Sequence, residues 1–189
     1  MSDQKPAVRR RAVLQTAAGL ALAPAVLRAT AEAAAPETPD GRPGDFDFLT
    51  GEWKISHRRL KAPGEWDVFE GEATCWSIIG GVGHVEELRI PARDFSGTGL
   101  RFLDLGTKVW SDYWVNAKSG ALGAAGLTGR FEDGVGLFTA EDADAEGKPI
   151  RVRGVWDQIT GHSHRWRQGV SRDGGASWED NWFMDWVKA

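Results

Sequence analysis

Hydrophobic and polar positions follow two regimes along this chain. From Ala12 to Leu27 nearly every residue is apolar or small, Gln15 and Thr16 excepted, and no period is visible. From Asp45 onward the pattern changes to short apolar and β-branched runs, broken by turn signals at fairly regular spacing, which marks an all-β sandwich or barrel. The clearest turns are Ala62-Pro63-Gly64, Ser96-Gly97-Thr98-Gly99, Lys118-Ser119-Gly120, Glu132-Asp133-Gly134, Ala145-Glu146-Gly147-Lys148-Pro149 and Asp173-Gly174-Gly175. Between them strands are predicted near 51–60, 66–76, 78–90, 99–105, 107–116, 121–130, 135–141, 150–157, 162–171 and 177–187. No long helical period appears. About ten strands in sequence order suggest a single antiparallel up-and-down barrel, because a sheet that wide tends to close and closure removes its edges.

Alternation assigns faces, since successive side chains of a strand point to opposite sides. Trp110, Asp112 and Trp114 share one face; Trp178, Asp180, Trp182, Met184 and Trp186 share another. On the strand predicted at 78–90, Ile78, Gly80, Val82, His84, Glu86, Leu88 and Ile90 lie together. Polar groups therefore interrupt apolar stripes. A pocket wall is mainly hydrophobic with a few placed polar groups, so this is the pattern of a barrel that encloses a cavity. All ten tryptophans lie beyond residue 45. Either most of them fill a wide interior, or three or four line a ligand site. Buried indoles want a hydrogen-bond partner, and Glu70, Glu72, Glu86, Asp112 and Gln168 are the candidates.

The apolar run is too short to span a bilayer, which takes about 20 residues. It follows Arg9-Arg10-Arg11-Ala12-Val13-Leu14 and precedes a small-residue tail, Ala29 to Ala35. That order reads as a twin-arginine export signal, residues 1–35, with cleavage near Ala35. The expected address is the periplasm or the medium, with the twin-arginine export machinery as a partner. Residues 36–44 have the Pro/Gly composition of a linker, and 45–189 make the barrel domain. Losing the leader removes five of the 23 basic and two of the 27 acidic side chains, which leaves a formal charge near −7. Nucleic-acid binding is disfavoured, because it needs a basic footprint, and the mature chain is not expected to be an integral membrane protein. Cys75 is the only cysteine, so no internal disulfide can form.

Three ordered blocks carry a resemblance: Phe46-Asp47-Phe48-Leu49-Thr50-Gly51-Glu52-Trp53, Gly80-Gly81-x-Gly83-His84-x-Glu86-Glu87, and Ser171-x-Asp173-Gly174-Gly175-x-x-Trp178. The first resembles the G-x-W element of lipocalin-like (calycin) barrels. Together they are similar to a family of exported bacterial proteins of unknown function assigned to that class. The resemblance implies a lipocalin- or nitrobindin-like barrel in which a turn of helix closes one end and Trp53 packs across it. It implies no settled activity. The third block also matches an Asp-box, but one copy cannot build a propeller; it reads as a hairpin stabilised by Asp173.

The expected function is binding of a small hydrophobic or amphipathic molecule. Trp110, Trp114, Trp166 and Trp182 would form the wall, and His84, Glu86, His164 and Gln168 would orient the ligand. A second reading is a cavity isomerase, lyase or hydrolase with Glu86 and His84 as acid and base. A third is haem or metal binding through a barrel histidine. His162-x-His164 is the nearest approach to a metal pair, yet zinc needs further ligands, and the glycine-rich run of the nitrobindin branch is missing after Trp53. No metal and no resident cofactor are expected.

Overall fold

The computed structural model describes residues 40–122 and 126–189. The chain divides into two units, Met1–Pro36 and Glu37–Ala189, and the described residues all belong to the second. The expected export signal lies outside them. Ten strands form one closed antiparallel barrel: β1 Gly51–Ala62, β2 Glu65–Ile78, β3 Gly83–Ile90, β4 Phe95–Asp104, β5 Val109–Asn116, β6 Leu127–Glu132, β7 Val135–Ala143, β8 Pro149–Asp157, β9 Ser163–Ser171 and β10 Glu179–Lys188. Each pairs with its neighbour in sequence, and β10 returns to β1 from Trp53↔Lys188 to Arg59↔Trp182. Among the described residues no helix is long and apolar enough to cross a membrane.

Three predicted boundaries shift. The strand expected at 121–130 begins only at Leu127, with Leu122 joined to Val115 by an isolated bridge; the other two shifts have identifiable reasons. Ser96-Gly97-Thr98-Gly99 is not a turn but the start of β4; the reversal lies at Pro91–Arg93, a 3-10 turn ended by Asp94 in the left-handed region. Gly97 and Gly99 are glycines because large neighbours lie over them. A methyl group on Gly99 would sit 3.0 Å from Nη2 of Arg101, and one on Gly97 would collide with the Trp114 ring. The strand predicted at 78–90 is likewise two pieces. Ile79, Gly80 and Gly81 all take positive φ, and β3 starts only at Gly83.

One end of the barrel is plugged by the segment before β1. Phe46 and Leu49 flank or belong to a 3-10 turn, Asp47–Leu49, and are fully buried. Phe46 packs edge-on to Trp110 and Phe131, with ring centroids 5.0 Å away in both cases. Trp53, Trp110, Phe138, Trp156 and Trp186 complete this aromatic core. Residues 41–44, expected to be linker, are tied to the same end: Gly41 N–H donates to Lys108 O and Gly44 N–H to Gly81 O, both at 2.9 Å. At the opposite end, β9 and β10 are joined by the Asp173 hairpin. Asp173 accepts hydrogen bonds from Ser171 Oγ and from the amide and hydroxyl of Ser177, Gly174 and Gly175 have positive φ, and the Trp178 indole donates to Gly175 O.

Candidate ligand cavity

Barrel width sets what the interior can hold. Eight strands enclose just enough space for side chains to fill, and width grows with strand number, so ten leave spare volume. The aromatic plug uses the half near the start of β1. Next to it lies a cavity of about 180 Å³. One wall comes from β8, β9 and β10, with Trp156, Trp166, Gln168, Trp182, Met184 and Trp186; the other comes from β3, β4 and β5, with Glu86, Leu88, Arg101, Asp112 and Trp114, and Leu127 of β6 lies beside it.

The indoles of the first wall support one another. Trp166 and Trp182 meet edge-to-face at 5.8 Å and 83°, and Trp156 stands 6.0 Å from Trp186. Gly154 makes the space for Trp166, whose Nε1 would lie 3.0 Å from a methyl group there. On the second wall, Arg101 donates from Nη2 to Oε2 of Glu86 at 2.6 Å. Its Nε lies 3.3 Å from Oδ1 of Asp112. Burial would lower the guanidinium pKa, but Asp112 and Glu86 overcome it and raise it. For Asp112, burial dominates and pushes the carboxyl up to about 6; Glu86 adds to this, and Arg101 works against it.

Of the eight predicted ligand residues, the structure brings five together around this cavity: Trp114, Trp166, Trp182, Glu86 and Gln168. Three do not line it. Trp110 is fully buried in the plug, with its Nε1 donating to Oδ2 of Asp45. His84 faces inward as alternation requires, but at the plugged end, 6.1 Å from the Phe46 ring. His164 is wedged between Trp53 at 4.4 Å and Trp186 at 5.0 Å. Of the proposed indole partners only Asp112 has an indole beside its carboxylate, that of Trp156, which helps to hold the carboxyl pKa down; elsewhere the acceptors are Leu49 O for Trp53, Asp45 for Trp110, Gly175 O for Trp178 and Nδ1 of His57 for Trp182. Arg101 and Trp156 are the principal residues that sequence reasoning missed. Arg101 follows Gly97 and Gly99 on the same face of β4, and that alternation was the available signal.

The geometry disfavours two of the expected chemistries. Both ring nitrogens of His84 are sealed and lack a protein partner, and burial, with Arg101 nearby, lowers its pKa to about 3. A sealed neutral imidazole cannot exchange protons with a cavity substrate, and Glu86 is committed to Arg101. For haem, the space is below the roughly 300–1,000 Å³ of pockets for drug-sized molecules, and none of the inward histidines His57, His84 and His164 lines it. His162 lies exposed in the β8–β9 turn, so it forms no pair with His164. Among the described residues no group of three or more His, Cys, Asp or Glu side chains gathers to hold a metal ion.

Fold and site together define a closed ten-stranded barrel with a small cavity that is aromatic on one wall and acidic on the other. Comparison with models of protein families and with curated proteins gave no match. Among solved structures, this chain is similar to a protein of unknown function from the DUF3598 family of Nostoc punctiforme PCC 73102. The two are 12% identical with a TM-score of 0.42, and the match covers 83% of this chain and 53% of that one. This chain thus spans about half the length of that protein.

Proposed function

We propose that this chain is an exported barrel protein that binds a small hydrophobic or amphipathic molecule in the cavity between the tryptophan wall and the Glu86–Arg101–Asp112 cluster. The observation that carries the reading is that space of about 180 Å³ beside a buried charged group. An apolar cavity of about 150 Å³ takes up benzene, so the guest is of that order of size. Buried apolar area supplies affinity, and the few polar groups set orientation.

Export rests on the twin-arginine leader and is tested by sequencing the N-terminus of protein recovered from the cell envelope, with a start at residue 36 expected. The calycin assignment rests on Gly51-Glu52-Trp53 and is supported by the burial of Trp53 beside the 3-10 turn. Binding itself is tested by native mass spectrometry of protein purified from its own envelope, followed by solvent extraction. A retained small molecule, lost on replacing Trp166 and Trp182 with alanine, is the expected result. Protein of bare chain mass, together with a crystal structure whose interior is filled by its own side chains, would overturn the proposal.

A further inference from the structure

The charges around the cavity do not balance. Glu86 and Asp112 face a single guanidinium, and among the described residues no other lysine or arginine lines the space, so the lining side chains carry a formal charge of −1. The acidic side is also the one presented. Arg101 is 4% exposed, with Nε and Nη1 sealed, whereas the Asp112 side chain keeps 16%. A guest therefore meets the Asp112 carboxylate more fully than the guanidinium that also lines the space. Opposite stand Trp166 and Trp182, with Trp114 nearer the surface. Ring faces of tryptophan attract cations, and a desolvated cation–π contact is strong enough to select one. One face of the Trp182 ring is already taken by the exposed Arg59, 4.7 Å from the centroid, so a guest cation is left Trp166 and Trp114.

From this geometry, which rests on the binding reading above, we infer that the cavity selects a small organic monocation, an alkyl- or arylammonium, over neutral and anionic molecules of the same shape. Such a guest neutralises the surplus carboxylate while its alkyl groups lie against indole. A carboxylate guest would add a third negative charge beside two. The neutral imidazoles of His84 and His164, lowered by burial and by Arg101, do not change that balance.

Three probes of one shape separate the cases: choline, 3,3-dimethylbutan-1-ol and 3,3-dimethylbutanoate, titrated calorimetrically into the purified protein at pH 7.5. That pH lies above the value of about 6 for Asp112, so its carboxylate is ionised. Choline is expected to bind at least tenfold more tightly than the alcohol, and the carboxylate not to bind. Asp112→Asn is expected to bring the ratio of choline to alcohol affinity down toward one. If Asp112→Asn does not fold, the three-probe comparison on the unaltered protein still decides. Equal or tighter binding of the alcohol, or any binding of the carboxylate, would overturn the inference and leave the cavity reading standing. Failure of all three probes would overturn it as well, whereas the cavity reading is decided separately by the retained molecule.

Discussion

Arg101 shows at the scale of one residue what the barrel interior costs and what it provides. A guanidinium withdrawn from water is tolerable only with partners, and here Glu86 and Asp112 supply them. Arg101→Met is therefore expected to destabilise the fold by about 3–5 kcal/mol, because it leaves two carboxylates buried and uncompensated. Replacing Arg101, Glu86 and Asp112 together by Met, Leu and Leu is expected to restore stability to the original or better. Urea midpoints of the two variants decide it; a mild single variant would mean that Arg101 reaches solvent. Such a cluster adds little to the stability of the fold, which fits the role in binding proposed for it. Only part of it was legible in the sequence. Glu86, Trp166, Gln168 and Trp182 follow from alternation, which holds at Glu86 although its strand starts only at Gly83, but reading Ser96 to Gly99 as a turn set the start of β4 too late. His84 and His164 have the predicted orientation and the wrong depth. Alternation reports which side of the wall a residue faces, and position along the barrel axis depends on the plug.

At the scale of elements, the strand limits were legible at the Asp133-Gly134 and Asp173-Gly174-Gly175 reversals, but not after Lys118-Ser119-Gly120, where β6 starts at Leu127 rather than near 121. They were misread where glycine serves packing instead. Inward glycines stand beside bulky groups throughout: Gly71 under the His57 ring, Gly99 under Arg101, and Gly154 beside Trp166. Gly129 on β6 is the most constrained, since a methyl group there would overlap the Leu137 carbonyl oxygen and come within 2.7 Å of the Phe138 Cα on β7. Backbone cannot step aside as a side chain can. Gly129→Ala is expected to cost about 3 kcal/mol, at or above the upper end of ordinary overpacking, whereas Gly134→Ala meets no atom within 4 Å and is strained only by its positive φ. Thermal unfolding of the pair tests this; equal losses would mean that β6 and β7 can separate without penalty.

For the whole molecule, the interior histidines make stability depend on pH. Burial, the leading cause in each case, lowers His57 to about 4 and both His84 and His164 to about 3, from an ordinary value of 6.5. Nδ1 of His57 accepts the Trp182 indole N–H, which fits a neutral ring. As pH falls below 6.5, the unfolded chain takes up protons at these three sites while the native barrel does not, so stability falls with falling pH until the folded values are reached. Asp112 acts in the opposite sense. Its folded value of about 6 lies above the ordinary 3.8, so the native state binds its proton first and gains stability as pH falls from 6 to 4. Three imidazoles against one carboxylate leave the unfolded chain with about two extra protons, a slope approaching 3 kcal/mol per pH unit near pH 5. Between pH 7 and pH 5 the expected loss is about 4–6 kcal/mol, on the order of half the stability of an ordinary domain. Urea midpoints at pH 7, 6 and 5 measure it. His164→Gln should flatten the dependence by about a third of the histidine contribution, and Asp112→Asn should steepen it. A midpoint that stays level from pH 7 to pH 5 would show that the native barrel protonates its imidazoles, which its aromatic plug could not permit without opening.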